Sequence, residues 1–315
     1  MRESVTGQLH DDELPIDEAL VRSLLGTLTP SFDRLPLRRL DSTGSSNALF
    51  RLGDELLVRL PRQPGGTATI EKERRWLSYV APALPVAVPE IVAVGEAAFG
   101  YPEHWSVVRW LAGVPPVPPL AGEAPRHELA RALADVVAGL RGADVPHEAR
   151  QDDALRWYRG EPLVSMDATT RAGLAACREI DGLELDLDAC AAVWDDAMAL
   201  PGAAREAGPR WYHGDLLAEN LLVDDGCLVA VLDFGGLSVG DPTVDLVVAW
   251  DLLDPEARHT FREAVGADDE TWALGRAWAL ALAVMTFPYY WTTMPRRCAD
   301  RLVLARAVLT DHSSA

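Results

Sequence analysis

The most constraining feature of the sequence is a pattern of polar and apolar residues two-thirds of the way along the chain. Asp215 is followed five residues later by Asn220. Two short apolar runs then flank an Asp-Asp-Gly sequence at residues 224–226. Apolar runs on both sides of such a turn predict a β-hairpin. The hairpin would return the chain so that Asp233, just after the second run, lies beside Asn220.

These three polar side chains have the spacing that kinase-type phosphoryl transfer uses. Asp215 would orient the acceptor hydroxyl and take its proton, while Asn220 and Asp233 would hold magnesium ions that bridge the nucleotide phosphates. Amide and carboxylate oxygens are the hard donors that Mg²⁺ prefers. We place His213 in the catalytic set and interpret it as a brace for the loop in preference to a proton-transfer group. The alternative, an ordinary surface hairpin, is disfavoured because His-Gly-Asp, the asparagine and Asp-Phe-Gly occur together.

A further acidic pair, Asp241 and Asp245, follows the hairpin, and Pro242 comes directly after the first of them. An aspartate before a proline is typical of a helix start, where the aspartate caps and the proline occupies the first turn. We therefore interpret Asp241 as structural. Asp245, one turn further on, is predicted to anchor the catalytic loop.

In these residues the chain resembles the aminoglycoside phosphotransferase family, kinase-like enzymes that phosphorylate hydroxyls of small molecules, many of them antibiotics. The resemblance covers residues 35–295 and is strongest over residues 211–250. It implies an α+β, protein-kinase-like bilobal fold, with a small N-lobe built on an antiparallel sheet and a larger, mainly helical C-lobe. ATP or GTP, with Mg²⁺, would bind between the lobes.

The predicted N-lobe contains a short amphipathic helix at residues 17–28, five strands, a second helix between the third and fourth strands, and a small polar loop. In the family, this loop covers the nucleotide phosphates, which assigns Ser45, Ser46 and Asn47 to nucleotide binding; the loop's own sequence is a weak signal, because it has no glycine-rich phosphate motif. The resemblance also places the nucleotide base against the last strand, at Val107 and Arg109. The strands are predicted at residues 36–40, 48–52, 55–60, 90–96 and 105–110, and the second helix at residues 70–79.

The N-lobe departs from the family pattern at one position. Kinase-like folds carry a lysine on the third strand that holds the nucleotide phosphates and pairs with a glutamate on the helix; here the strand offers Arg59. An arginine can bind phosphate, but its planar fork is not equivalent to an ammonium group. We predict Glu73 as its partner, with Glu71 second. Lys72, the one lysine in the chain, would serve instead if the helix were rotated.

A proline-rich run at residues 111–119 is the clearest break in composition and favours a semi-rigid, extended connection. We predict an N-terminal nucleotide-binding lobe at residues 1–111, a linker at 112–119 and a helical C-terminal lobe at 120–315. Periodic apolar residues predict the C-lobe helices. They are expected at residues 125–140, 182–200, 255–265, 271–287 and 296–309.

An aromatic cluster near the C-terminus lies where the family closes its acceptor pocket, although such clusters are more often core. Pro288 is expected to end a helix and to expose the residues after it. Carboxylates in this region would suit a cationic aminoglycoside or would cap helices, whereas the aromatic density favours a less charged hydroxylated antibiotic. The candidate acceptor residues are Trp250, Asp251, Trp278, Tyr289, Tyr290 and Trp291, with Asp254 and Glu256 as further carboxylates.

Composition limits the partners. The net charge of −19 argues against nucleic acid or an anionic membrane as a partner. No apolar stretch reaches the length of a membrane span, and the N-terminus lacks the pattern of a signal peptide. The four cysteines form no close pair, which fits a reducing cytoplasm. We expect a cytoplasmic monomer or homodimer that binds a small hydroxylated molecule.

Two classes of function remain open. The first is an O-phosphotransferase acting on an antibiotic, in resistance or self-resistance, or on a metabolite such as choline, homoserine or a sugar. The second is a kinase-like protein that binds a nucleotide and has weak activity. Arg59 favours the second class, and the intact set of Asp215, Asn220 and Asp233 favours the first.

Overall fold

The computed structural model of the chain describes residues 12–40, 46–118 and 126–314. The chain divides into two compact units. The first holds the described residues of Met1–Tyr79 and Val88–Ala112, and the second those of Val80–Ala87 and Gly113–Ala315. Ser45, predicted in the phosphate loop, lies outside the described residues, as does Pro119 at the end of the predicted linker.

The first unit is built on a five-stranded antiparallel sheet, in which the fifth strand along the chain lies between the third and the fourth. Side chains alternate between core and surface along the second strand, as expected where one face of a sheet is buried. Gly53, at a φ of 57°, makes the tight turn before the third strand, a conformation in which other residues are strained. The strands are β1 (Leu37–Arg39), β2 (Asn47–Leu52), β3 (Leu56–Pro61), β4 (Ile91–Gly95) and β5 (Trp105–Arg109).

Helix α1 (Glu18–Leu28) covers the core of this sheet, and the short helix α2 (Pro30–Asp33) follows it. The Asp17 side chain accepts a hydrogen bond from the Leu20 N–H (2.8 Å), which caps the start of α1. The buried face of α1 joins one apolar cluster with the sheet residues Phe50 and Trp105. A helix packed on a half-buried sheet supplies the apolar partner that the sheet needs.

Helix α3 (Thr67–Val80) receives its N-terminal cap from a residue far along the chain. The Glu103 carboxylate is buried and accepts hydrogen bonds from the backbone N–H groups of Gly65 (2.8 Å) and Thr67 (2.7 Å). A carboxylate at this end of a helix is favoured because the first N–H groups have no partner within the helix. The cap holds the start of α3, and with it the position of Glu73.

The segment Val80–Ala87 corrects the predicted boundary of the first lobe. The sequence analysis placed this segment in the N-terminal lobe at residues 1–111, but the segment belongs to the second unit. The Ala87 N–H donates to Val229 O (3.0 Å), and the Val231 N–H donates to Ala87 O (3.0 Å). These two bonds join the segment to a strand of the second unit.

The second unit is mainly helical. The helix at residues 269–290 is buried around most of its circumference, and it packs against the helices at residues 167–177, 187–198 and 295–313. A helix that is apolar on all sides is stable only inside a core. The helices are α4 (His127–Gly142), α5 (His147–Arg150), α6 (Asp167–Cys177), α7 (Leu187–Met198), α8 (Val248–Leu252), α9 (Pro255–Val265), α10 (Asp269–Tyr290) and α11 (Pro295–Ser313).

Helix α10 continues past Pro288, which the sequence predicted would end it. Proline has no N–H to donate to the carbonyl four residues earlier, so Val284 O loses its helical partner. The buried Cys177 thiol donates to this oxygen instead (3.4 Å). Tertiary packing therefore accommodates the proline, and the helix ends at Tyr290.

Two small antiparallel pairs complete the second unit: β6 (Arg210–Tyr212) with β9 (Ser238–Gly240), and β7 (Leu221–Asp224) with β8 (Cys227–Val231). The second pair is the predicted hairpin. Its two-residue loop has φ values of 46° at Asp225 and 79° at Gly226. Positive φ at both loop residues is the twist-compatible hairpin geometry that Asp-Gly favours.

The predicted α+β class, a small antiparallel sheet unit with a larger helical one, is confirmed. Helix α6 and the series of single turns that precedes it were not predicted from the sequence. Within residues 12–40, 46–118 and 126–314, none of the helices combines the length and the apolar character that a membrane span requires.

Candidate active site

Asp245 holds the backbone at the start of the catalytic loop. The buried Asp245 carboxylate accepts hydrogen bonds from the N–H groups of His213 (2.8 Å) and Gly214 (2.7 Å). Burial raises the pKa of Asp245 above its ordinary value, against these bonds and the positive charge of Arg141. The predicted anchoring role of Asp245 is confirmed. Asp241 caps the following turn by accepting from the Thr243 N–H (2.9 Å), as predicted.

The His213 ring is buried and uses both of its nitrogens. Nε2 lies 2.9 Å from Leu232 O, and Nδ1 accepts from the Asp215 N–H at 3.2 Å. This pattern defines the neutral tautomer with the proton on Nε2. The ring also packs edge-on against Phe234, with centroids 4.8 Å apart. The geometry thus supports the brace interpretation of His213 over proton transfer.

Asp215 is the accessible carboxylate of the loop, with 26% of its side chain exposed. Its Oδ2 accepts from Asn220 Nδ2 (3.0 Å), and its Oδ1 accepts from Arg159 Nη1 (2.6 Å). Burial raises the pKa of the Asp215 carboxyl, but the charge and hydrogen bond of Arg159 outweigh this effect and lower it overall. Each oxygen of an ionised carboxylate has two lone pairs, so both can still accept another hydrogen bond.

The hairpin brings Asn220 and Asp233 to the same end of the strand pair. The Leu232 N–H donates to Asn220 O (2.8 Å), so Asp233 follows directly beside the asparagine. Asp233 has a left-handed backbone (φ 53°), and its carboxylate accepts from the Gly235 N–H (3.3 Å). A non-glycine residue in this conformation is unusual and is often found at functional sites.

The donor set at this place fits magnesium. Nδ2 of Asn220 is used by Asp215, which leaves the amide oxygen for a metal. Within the described ranges, no three His, Cys, Asp or Glu side chains are grouped to hold a metal ion. Magnesium in nucleotide enzymes takes only one or two carboxylates and completes its shell with phosphates and water. Asn220 and Asp233 therefore suit a metal that arrives with a nucleotide.

Arg159 was missed by the sequence reasoning. It lies in the short turn Tyr158–Gly160, and its ion pair with Asp215 spans 56 residues. The local signal is an arginine after two aromatic residues, in a segment without periodicity. Nothing in that signal identifies a partner so far along the chain.

The prediction that Asp251 lines the acceptor pocket is corrected, because this residue is buried and supports the catalytic loop. It accepts hydrogen bonds from the Ala218 N–H (2.7 Å) and Arg301 Nη1 (3.2 Å). Arg301 also pairs with Glu219 (2.6 Å), which receives a second bond from Arg297 (2.9 Å). Burial raises the pKa of Asp251 to about 6, against the charge of Arg301. Helices α8 and α11 thereby fix the loop between the candidate base and the metal ligands.

The aromatic candidates separate into two groups. Trp250 and Trp278 are buried in the helical core, and Trp250 packs on Trp272 with ring centroids 4.5 Å apart. These two residues are corrected to core, the alternative that the sequence left open. Tyr289 is exposed, and the following two candidates, Tyr290 and Trp291, are partly exposed at the end of α10.

In the first unit, Arg59 and Glu73 form the predicted pair. Arg59 Nη1 donates to Glu73 Oε1 (3.3 Å), a second ion-pair contact joins Nη2 to Oε2, and Nε donates to Ser106 (3.2 Å). The pairing is confirmed, and α3 turns Glu73, not Lys72, to face Arg59. Whether the pair serves a nucleotide stays a prediction.

The other nucleotide-binding predictions of the first unit fall on the sheet. Val107 is buried and pairs with Val58 and Ala93 on the neighbouring strands, so its side chain belongs to the core. The Arg109 N–H donates to Glu90 O (2.9 Å), and the assignment of Val107 and Arg109 to nucleotide binding stays a prediction. Ser46 is exposed and Asn47 partly buried at the start of β2.

A comparison with protein-family models identifies the class of protein. Residues 38–280 match the phosphotransferase enzyme family, and the match covers most of the chain. The chain therefore belongs to the phosphotransferase enzyme family. The predicted resemblance and the predicted enzyme class, a small-molecule O-phosphotransferase, are confirmed. A comparison with curated protein sequences finds no match.

Solved structures of antibiotic phosphotransferases share the fold. The GDP and kanamycin complex of APH(2″)-IIIa has 19% identity and a TM-score of 0.68, over 94% of this chain and 99% of that one. ADP-bound APH(2″)-Ib has 14% identity and a TM-score of 0.60, over 93% and 99%. The apoenzyme of macrolide 2′-phosphotransferase MphH from Brachybacterium faecium has 23% identity and a TM-score of 0.57, over 87% and 93%. These identities show the fold alone, and the predicted kinase-like class is confirmed.

Proposed function

We propose that this phosphotransferase moves the γ-phosphate of ATP or GTP to a hydroxyl of a small antibiotic. The observation that carries the proposal is the joint placement of Asp215, Asn220 and Asp233. One hydrogen bond ties Asn220 to Asp215 (3.0 Å), and another ties Asn220 to the residue before Asp233 (2.8 Å). Besides positioning the substrates and neutralising charge, the protein needs to supply only a base and two metal ligands for phosphoryl transfer.

The reaction follows from this placement. The acceptor oxygen forms a bond to the γ-phosphorus while the bond from phosphorus to the β–γ bridging oxygen breaks. Asp215 accepts the hydroxyl proton, and the nucleoside diphosphate leaves with the bridging oxygen. Asn220 and Asp233 would hold the magnesium that neutralises the phosphate charges. The His213 ring and the Asp245 carboxylate hold the loop through their hydrogen bonds to its backbone.

The proposal that a nucleoside triphosphate is the phosphate donor rests on the relatives. The structures of APH(2″)-IIIa and APH(2″)-Ib contain GDP and ADP respectively, which supports a nucleoside triphosphate as donor. In this chain Arg59 would hold its phosphates, in the place where kinase-like folds carry a lysine. Parallel assays with MgATP and MgGTP decide between the two donors.

For the acceptor, the contacts favour a molecule with little positive charge. Asp251 is paired with Arg301, and Asp254 caps α9 by accepting from the N–H groups of Glu256 (3.0 Å) and Ala257 (2.9 Å). Both carboxylates are already engaged within the protein, which weakens their attraction for the amines of an aminoglycoside. Exposed Tyr289 offers apolar stacking surface instead. A macrolide-like antibiotic is therefore preferred over an aminoglycoside such as kanamycin.

The test is a screen for nucleoside diphosphate release with purified protein, Mg²⁺ and each nucleotide. The acceptors are kanamycin, streptomycin, a macrolide, choline, homoserine and common sugars, and the product is identified by its added phosphate mass. Phosphorylation of an antibiotic supports the proposal. Turnover of a metabolite alone would redirect it to a metabolic kinase, and binding without turnover would favour a nucleotide-binding protein.

The metal assignment has its own test. Asp233→Asn removes a charged oxygen from the magnesium site, so we expect weaker MgATP or MgGTP binding and lower turnover together. The readout is the increase in melting temperature on titration with each magnesium nucleotide. The matched control is Asp224→Asn, an exposed aspartate on the same hairpin. An increase equal to that of the unsubstituted protein would exclude Asp233 as a ligand.

A further inference from the structure

The turn that carries Arg159 is held at both ends by the strand pair β6–β9, through Tyr212 in β6 and Asp241 directly after β9. The Tyr212 hydroxyl donates to Trp157 O (3.2 Å), and the Asp241 N–H donates to Gly160 O (2.9 Å). A Cβ at Gly160 would lie 2.4 Å from the Tyr212 hydroxyl, so only glycine allows this approach. The backbone on either side of Arg159 is therefore fixed.

The Arg159 guanidinium packs over the Trp157 ring. Two glycines make room for this ring: a Cβ would meet it at 2.6 Å from Gly214 and at 2.9 Å from Gly236. The guanidinium carbon lies 4.4 Å from the ring centroid, within the range of a cation–π contact. Gly214 directly precedes Asp215, and Gly236 follows Asp233 by three residues, so the Trp157 ring packs against the catalytic loop.

The guanidinium binds the loop at two points. Arg159 Nη1 donates to Gly214 O (2.7 Å) and to Asp215 Oδ1 (2.6 Å), and Nε lies 3.0 Å from the Tyr158 hydroxyl. No described residue accepts a hydrogen bond from Nη2, and 16% of the side chain is exposed. A purely structural arginine of this unit, Arg258, by contrast uses Nε and both of its terminal nitrogens.

We propose that Arg159 is a positioning residue for the catalytic base, an inference that rests on the proposed role of Asp215. Arg159 holds Oδ1 while Asn220 holds Oδ2, so the plane of the carboxylate is fixed by one donor on each oxygen. The remaining lone pairs then point in one set direction toward the acceptor hydroxyl. Pre-set orientation of this kind accelerates a proton-coupled step without changing substrate binding.

The test uses water as the acceptor, so it does not depend on the identity of the antibiotic. In the hydrolysis of MgATP or MgGTP, the water oxygen bonds to the γ-phosphorus, the bond to the bridging oxygen breaks, and Asp215 takes the proton. We expect Arg159→Gln to lower kcat about 10–100-fold with an unchanged nucleotide KM, the size of effect that a misplaced catalytic group produces. Arg159→Lys should recover part of kcat, because an ammonium can reach Oδ1 but not also Gly214 O.

A matched control separates this effect from general loss of charge. Arg205→Gln removes a surface arginine that pairs with Glu270 (2.5 Å), and we expect unchanged kcat and KM. Melting curves of all variants check folding. If Arg159→Gln does not fold, Arg159→Lys serves alone: a lower kcat at constant KM supports the proposal, and an unchanged kcat or a raised KM overturns it.

A double-mutant cycle identifies the partner through which Arg159 acts. If it acts through Asp215, adding Arg159→Gln to Asp215→Asn should lower kcat by less than threefold further. An equal loss in both backgrounds, or an Arg159→Gln variant with normal kcat, would overturn the proposal. Normal turnover of Asp215→Asn itself would instead overturn the proposed function, so the two failures are distinguishable.

Discussion

The two units of the molecule each contain an arginine–carboxylate pair, and the pairs differ in their access to solvent. Arg59 and Glu73 are closed, with 8% and 1% of their side chains exposed. Arg159 and Asp215 are open, with 16% and 26% exposed. A closed pair is costly to break because the remaining charge stays buried. An open pair can exchange protein contacts for contacts with a substrate.

This difference shows how one type of interaction serves two purposes. The closed pair joins β3 to α3 and has a third contact to Ser106 that satisfies Arg59 Nε. In the open pair, no described residue accepts a hydrogen bond from Arg159 Nη2, and part of the carboxylate is exposed. We therefore expect changes at the first pair to appear mainly in stability, and changes at the second mainly in turnover.

The largest expected effect lies at the open pair. Asp215→Ala should lower turnover on the order of a thousandfold, because general-base catalysis contributes 10²–10⁴. Folding and nucleotide affinity should stay nearly intact, since the carboxylate is partly solvated and faces the acceptor. The measurement is kcat with the best acceptor of the screen, with Asp224→Ala, an exposed aspartate on the neighbouring hairpin, as the control. More than a third of normal turnover in Asp215→Ala would contradict the assignment.

At the closed pair, the expected effect is on stability. Arg59→Ala should lower the free energy of unfolding by about 3 kcal/mol, because Glu73 is left charged and buried. Arg159→Ala should lower it by about 1 kcal/mol, since Asp215 regains water. Urea unfolding of both variants measures the difference. Equal losses would remove the distinction between the pairs.

Two further variants separate charge from shape at the closed pair. Arg59→Met combined with Glu73→Leu replaces the pair by apolar groups and should restore most of the stability that Arg59→Ala loses. Arg59→Lys should keep the nucleotide KM closer to normal than Arg59→Ala, if the position holds phosphate. Normal KM in both Arg59 variants would mean that another group holds the phosphates.

A smaller effect is expected in the pH dependence of stability, at Asp251, the buried carboxylate that supports the catalytic loop. Burial raises the pKa of Asp251 to about 6, against Arg301, so the folded state binds more protons than the unfolded state in the window between the ordinary pKa and 6. Its stabilising contribution is present below this window and is lost as the pH rises through 6. Relative to Asp251→Asn, the unfolding free energy should fall by about 2 kcal/mol between pH 4 and pH 7. A difference that is constant with pH would contradict this assignment.

The smallest effect concerns the charge of the acceptor. Asp215, Glu219 and Asp251 are each paired with an arginine, so the region offers little attraction to a polycation. An acceptor held by stacking should bind almost equally at low and physiological ionic strength, whereas a polycation should bind several-fold more weakly at the higher one. The measurement is acceptor KM against salt. Efficient, strongly salt-dependent phosphorylation of kanamycin would reverse the preference for a less charged antibiotic.

The elements of the site that could be predicted from the sequence are those with local causes. The hairpin follows from apolar runs around Asp225-Gly226, whose positive φ values suit the tight turn. Asn220 and Asp233 meet because that hairpin joins them. Arg59 and Glu73 were matched through the family resemblance, because the strand and helix that carry them form recognisable patterns. In each case the order of neighbouring residues determines the geometry.

Only the tertiary structure decided which distant side chains support the catalytic loop. Arg159 and Arg301 reach it across 56 and 82 residues respectively, at Asp215 and Glu219. Contacts between distant elements leave no spacing in the sequence, since they depend on how helices pack. The same reason explains Pro288, which α10 tolerates because Cys177 from another helix donates to the freed carbonyl. The sequence by itself determined the catalytic hairpin and the class of chemistry, and packing determined what holds that hairpin in position.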